Sequence, residues 1–216
     1  MIAVFILGSK CNMNCKFCMS EENDLNKDFI EKKLKELKGM VVFTGGEPLL
    51  YDVNEYLSIA KDLGLKTKVQ TNGKLIHELN LDLVDVVNLP VDGCKKTHDW
   101  LREKGHFKTV MRAAKFASEK ELSVTTVLTS VNLNEIEEIY DVVNSIGASS
   151  WKLFKFKPKG RGREHRELSI SEEEFSKAVK KAKNIAENLK VYAVRDPDKM
   201  SALVFRNTNK KFQNHQ

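Results

Sequence analysis

Val41-Val42-Phe43-Thr44-Gly45-Gly46-Glu47-Pro48-Leu49-Leu50 is the stretch on which the fold turns. Four β-branched or aromatic residues form a short run, and a glycine pair stops it. Beyond it Val53, Tyr56, Leu57, Ala60 and Leu63 recur at helical spacing, and Asp52 with Glu55 has the pattern of a capping box. The unit is a strand, a glycine loop and an amphipathic helix.

The same unit repeats outward. Residues 2–7 read as a strand upstream. Downstream strands are residues 65–70, closed by Thr71-Asn72-Gly73, then 84–89, 123–129 and 151–156. Apolar stripes separate them: Val110, Ala113, Ala114 and Ala117, then Ile136, Ile139, Tyr140, Val143 and Ile146. Ser171 with Glu174 starts a last long helix, expected to run to about residue 189. Strand then helix, about six times over, implies parallel strands joined by right-handed crossovers. A closed eightfold barrel takes about 250 residues, and this chain has 216. The expectation is an α/β fold, a partial (β/α)6 TIM-like barrel, with an open doubly wound sheet as the alternative. Residues 1–190 form its core and 191–216 a C-terminal extension or tail packed on the barrel. Chemistry belongs in the loops after the strands.

Composition narrows the class. Thirty-six basic against 30 acidic side chains leave a net charge of +6, less than a dedicated nucleic-acid binder carries. The apolar run at 2–7 lacks a basic leader, and no stretch approaches the roughly 18 apolar residues of a membrane span. A cytoplasmic protein with no membrane partner is expected. Three of the four cysteines, Cys11, Cys15 and Cys18, fall within eight residues, which points to metal binding or catalysis rather than disulfides.

Those three follow the first strand in Ser9-Lys10-Cys11-Asn12-Met13-Asn14-Cys15-Lys16-Phe17-Cys18. Iron–sulfur clusters usually take four thiolates, so three would leave one iron of a four-iron cluster open to a small molecule. Zinc, with Cys94 or a histidine as a fourth ligand, is a second reading. A redox pair at Cys15 and Cys18 is a third.

Cys-x-x-x-Cys-x-aromatic-Cys after the first strand, followed by Gly45-Gly46-Glu47-Pro48 after the second, resembles the radical S-adenosylmethionine (SAM) superfamily. The resemblance implies a [4Fe–4S] cluster on Cys11, Cys15 and Cys18, with SAM chelating the open iron. Reductive cleavage of SAM would give a 5′-deoxyadenosyl radical that abstracts hydrogen from a substrate, in an oxygen-sensitive enzyme fed by a donor such as ferredoxin or flavodoxin. By the same resemblance Gly45, Gly46, Glu47 and Pro48 border the methionine end of SAM, and Phe17 the adenine. Thr71 and Asn72 contact ribose or carboxylate, Arg102 reaches the carboxylate from the Asp92-Gly93…His98-Asp99…Arg102 stretch, and Thr126 and Leu128 pack nearby. His98 is read as structural. Cys94 is an incidental thiol or a hydrogen donor facing the site.

The substrate is less legible. Residues 155–166 carry six cationic side chains, which suits an anionic substrate or simply a solvated loop. The Asp92–Arg102 stretch and Pro158-Lys159-Gly160-Arg161-Gly162 resemble peptide- and cofactor-maturing members of the superfamily. No cysteine follows Cys94 to hold auxiliary clusters. Ser150-Trp151-Lys152-Leu153-Phe154 resembles viperin-like nucleotide-modifying members, although Val124-Thr125-Thr126-Val127 lacks the lysine and asparagine expected of a triphosphate pocket. A small-molecule or peptide substrate, a glycyl-radical-type activating enzyme and a metal-binding scaffold without activity are the readings carried forward.

Overall fold

The computed structural model describes residues 1–21, 23–196 and 202–207. The six expected strands are β1 (Ile2–Ile6), β2 (Met40–Thr44), β3 (Lys66–Gln70), β4 (Val86–Pro90), β5 (Glu121–Leu128) and β6 (Ser150–Lys155). All pair in parallel, each with its sequence neighbour. The order never reverses across them. Right-handed crossovers taken always in one direction place the helices on one face, so the sheet curls into a half-barrel and is not doubly wound.

The helices are α1 (Lys27–Leu34), α2 (Val53–Asp62), α3 (Lys95–Leu101), α4 (His106–Phe116), α5 (Ile136–Ser145) and α6 (Glu172–Ile185). The link from β3 to β4 departs from the pattern. It holds only two 3-10 turns, Ile76–Glu78 and Leu81–Leu83. At α6 both bonds of the Ser171–Glu174 capping box form. At α2 the Asp52 side chain makes no capping bond. Its ψ of 44° departs from the extended backbone that turns a capping side chain back over the first turn. Helix α6 also stops at Ile185, short of the expected end.

Two more parallel strands widen the sheet. β7 (Lys190–Val194) pairs with β6, and β8 (Leu203–Phe205) crosses to the far edge to pair with β1. There the Phe205 ring lies 4.8 Å from that of Phe5. Residues 197–201 and 208–216 of the expected extension lie outside the described residues.

Alternation along the strands separates two faces. Ala3, Phe5, Val41, Phe43, Val69, Val87, Leu89, Val124, Trp151 and Leu153 form one core with the helices. Each fully buried side chain of this size contributes about 1.5–3 kcal/mol. Val42, Lys68, Asn88, Ser123, Thr125 and Lys152 alternate with them and face the concave side. A second, smaller cluster of Met13, Cys15, Phe17, Leu101, Phe156 and Leu168 lies against the cysteine loop. Among the described residues, no helix is long and apolar enough to cross a membrane.

Candidate functional site

The loop carrying Cys11, Cys15 and Cys18 is held from several separate segments. From the end of β2, Gly46 N–H donates to the Gly8 carbonyl and Glu47 N–H to the Lys10 carbonyl, both at 2.8 Å. Lys10 N–H donates to the Tyr51 hydroxyl at 2.9 Å. From the end of β3, Asn72 Nδ2 donates to Asn12 Oδ1 at 2.8 Å and approaches Cys11 Sγ at 4.0 Å. From α3, the Leu101 carbonyl accepts from Lys16 N–H at 2.9 Å. From the loop after β6, Gly162 N–H donates to the Cys18 carbonyl at 3.0 Å and Arg161 to the Cys15 carbonyl at 3.3 Å.

The glycines of the Gly45-Gly46 edge therefore serve the close approach of backbone to backbone. A Cβ on Gly46 would overlap the Lys10 carbonyl oxygen and stand 2.6 Å from its carbon. Gly45, at φ 143°, would press on the Gly8 carbonyl at 2.8 Å. Glu47 is wholly buried. Its carboxylate accepts from Thr71 Oγ1 and Asn72 N–H at 2.7 Å and from Leu49 N–H at 3.2 Å. It thereby ties the end of β2 to the end of β3. Burial raises its pKa, and these three donors oppose the rise. Pro48 opens the one-turn helix that follows.

Arg102 faces the cysteine loop from the end of α3. Its Nε pairs with Asp92, whose side chain is fully buried, while the arginine is 12% exposed. One terminal nitrogen lies 3.7 Å from Cys15 Sγ, and the guanidinium stacks 5.0 Å above the Phe17 ring. Phe17 itself is buried in the small cluster. Burial raises the pKa of Cys15, against the lowering field of Arg102, and burial raises that of Cys11. Cys18 adds to the rise of both, and Cys11 to that of Cys15.

Asp92 is a junction that the sequence motif does not disclose. Its Oδ1 accepts from Val127 N–H at 2.7 Å, and its carbonyl accepts from Asn132 Nδ2 at 2.8 Å. Its own N–H donates to His98 Nδ1 at 3.1 Å. That bond fixes the proton of His98 on Nε2, which donates to His106 Nδ1 at 2.8 Å; His106 Nε2–H then donates to the Asn72 carbonyl at 2.9 Å. Two buried neutral histidines thus link the ends of β4 and β3, and His98 is structural as expected from its place. Burial pushes the His98 pKa down to about 2 and that of His106 down to about 4. Both lie below the ordinary 6.5, so the unfolded chain takes up protons first as pH falls. Stability contributed by this relay is full above pH 6.5 and is lost progressively toward pH 4. The slope should be about 1.4 kcal/mol per pH unit for each histidine. Urea-unfolding midpoints at pH 7 and pH 5 should differ accordingly, and less so in His106→Gln.

Other expected residues fall elsewhere. Thr126 is fully buried on the helix side, where its hydroxyl bonds the Val91 carbonyl and accepts from Trp151 Nε1 at 2.8 Å. Leu128 belongs to the main core. Neither is brought to the cysteine loop. Cys94 caps α3, with its N–H on Glu135 at 2.8 Å and its thiol near Thr97 and Glu135. The cations of the basic loop are largely engaged: Lys155 with Glu172, Lys157 with Asp196, Arg163 with Glu21 and Arg161 with the cysteine loop.

Cys11, Cys15 and Cys18 share one loop held against two glycine-bearing strand ends of a parallel half-barrel, and three thiols suit an iron–sulfur site by their chemistry, but among the described residues no three His, Cys, Asp or Glu side chains are gathered closely enough to hold a metal ion. Residues 5–143 match the sequence profile of the radical SAM superfamily, and the chain belongs to that superfamily. It is 28% identical over 189 residues to an AdoMet-dependent heme synthase of Nitratidesulfovibrio vulgaris, covering 78% of this chain and 52% of that one. It is also 28% identical over 206 residues to an S-adenosylmethionine-dependent nucleotide dehydratase of Flammeovirga pacifica, covering 81% of this chain and 70% of the relative. The chain spans about half the length of the heme synthases it matches. Streptococcus suis SuiB bound to S-adenosylmethionine shares the fold at a TM-score of 0.73, with 18% identity over 90% of this chain and 50% of that one.

Proposed function

We propose that this chain is a radical SAM enzyme in which Cys11, Cys15 and Cys18 hold one [4Fe–4S] cluster and leave its fourth iron for SAM. The observation that carries this reading is the cysteine loop itself. It bears three cysteines within eight residues, held by hydrogen bonds from the ends of β2 and β3, from α3 and from the loop after β6, and Cys94, the remaining cysteine, is engaged with Thr97 and Glu135. Such a cluster with SAM bound supplies one-electron cleavage of the sulfonium and hydrogen abstraction from a substrate, drawing its electron from a ferredoxin- or flavodoxin-type donor.

The protein's part is to hold and orient. Gly45, Gly46, Glu47, Pro48 and Thr71 set the cysteine loop against the strand ends. Asn72 offers its side chain beside Cys11, where a SAM carboxylate or ribose would lie. Arg102, neutralised by Asp92, places a hydrogen-bond donor on Cys15 and a flat cation on Phe17. The small apolar cluster around Cys15 and Phe17 excludes water from the inner side of the loop.

For the substrate, the relatives' names point to a haem precursor or a nucleotide. Both are anions, through carboxylate and phosphate groups respectively, and an anionic small molecule is the class we favour. A peptide, an activated glycyl-radical partner and an inactive scaffold are the competing readings.

Anaerobic reconstitution should load about four irons per chain and give release of 5′-deoxyadenosine from SAM under a low-potential reductant. Cys15→Ala should lose both. Stoichiometric zinc without iron–sulfur absorbance, or a fully loaded cluster that never cleaves SAM, would sink the proposal.

A further inference from the structure

The sheet's concave wall carries charge where a merely packed interior would be apolar. Lys68 lies in register with Val42 and Val86, and Lys152 with Thr125 and Tyr192. Both alternate with residues of the main core, Val69 on β3 and Trp151 and Leu153 on β6. Both are half-buried. Between them, Asn88 Nδ2 donates to Ser123 Oγ at 2.9 Å, and Thr125 Oγ1 donates to Asn88 Oδ1 at 3.0 Å.

Among the described residues neither lysine has an acidic partner within ion-pair distance. Lys152 touches the face of Phe154, at 5.9 Å. The one carboxylate whose field reaches Lys68 is Glu121, and it is held by Lys66 at 3.2 Å and by Ser149 at 2.8 Å. Burial pushes the Lys68 pKa down to about 8, with the Lys152 charge adding to the depression, and burial lowers that of Lys152. Two half-buried lysines on one polar wall, neither paired with a carboxylate among the described residues, leave room for a counter-charge from outside the chain.

We propose that Lys68 and Lys152 form an anion site on the concave wall that grips a phosphate or carboxylate group of the substrate. The site rests on the reading of this chain as an enzyme whose substrate enters the half-barrel. It takes the part that the basic loop was expected to play, since four of that loop's six cations serve acidic neighbours and the cysteine loop. Asn88, Ser123 and Thr125 lie on β4 and β5, the strands between the two lysines, and keep that stretch of the wall polar.

Calorimetric titration of the reconstituted protein at pH 7, with pyrophosphate and separately with citrate, tests this without SAM or reductant. Failure to bind and failure to cleave SAM are therefore separate results. Wild type should bind at least one of the two. Lys68→Gln and Lys152→Gln should each weaken it roughly tenfold to a hundredfold, the loss expected of one charge-assisted bond. Lys177→Gln, on the exposed face of α6, should change nothing. The preferred anion distinguishes a phosphate from a carboxylate end. Because each Gln variant removes a repelling charge, its melting temperature should hold or rise, which separates lost binding from lost folding. The proposal is overturned if wild type binds neither anion, if both Gln variants bind as wild type does, or if Lys177→Gln weakens binding equally.

Discussion

Asp92→Ala should cost about 3–5 kcal/mol of unfolding free energy, the loss expected when one member of a buried ion pair is removed. The residue's side chain is wholly buried and Arg102 is nearly so. Truncation leaves the guanidinium without a counter-charge and the Val127 N–H without its acceptor. Asp92→Asn retains an oxygen for Val127 and should lose less, which separates the hydrogen bond from the charge. Replacing the pair together, as Asp92→Asn with Arg102→Met, should recover part of the stability, because no unpaired charge is then buried. Urea unfolding of wild type and the three variants measures this directly. Equal stability of Asp92→Ala and wild type would show that the pair is not buried as described. Removing Asp92 also frees Arg102 from its place at Cys15, so the iron–sulfur absorbance should shift even in molecules that remain folded.

Gly46→Ala should all but abolish iron incorporation while leaving the helices intact. A methyl there overlaps the Lys10 carbonyl, part of the backbone that leads into Cys11. The neighbour is not the free end of a side chain, so the loop must move as a whole, at a cost of about 1–3 kcal/mol. Three thiols that must meet one cluster tolerate no such shift. Gly64→Ala is the control. It meets no atom within 4 Å but carries a φ of 72°, so it should lose about 1 kcal/mol and keep its iron. Iron content and far-ultraviolet circular dichroism, measured side by side, decide the matter. Full iron loading in Gly46→Ala would mean that the close approach of the two loops does not govern the site.

Much of the site is visible in the linear chain because its parts are local. The cysteines lie on one loop, Gly45 to Pro48 on another, and both follow strands whose apolar runs announce themselves. The strand order was legible for the same reason, since six units wound in one direction need only short-range connections. Residues whose meaning depends on a distant partner were not legible. Arg102 was expected to reach the SAM carboxylate, and the chain alone does not reveal that its Nε is anchored by a buried carboxylate ten residues earlier while a terminal nitrogen stands near Cys15. Thr126 and Leu128 sit on the correct strand and on its helix-facing side. A shift of one residue decides the face, and periodicity cannot resolve it where both faces are buried. Asp52 and Glu55 have the residue types of a capping box, yet the local backbone turns the side chain away.

By itself the sequence determined the glycine edges and the parallel α/β order and singled out the three cysteines, because each is written in residue types a few positions apart. Only the tertiary structure decided which charges are neutralised. It showed that the basic loop after β6 meets acids and the cysteine loop, that two histidines on neighbouring helices join β4 to β3, and that Lys68 and Lys152 share a wall without a carboxylate between them. Those outcomes depend on which strands become neighbours when the sheet curls. Coulomb and desolvation energies follow distance through space, and separation along the chain carries no record of it.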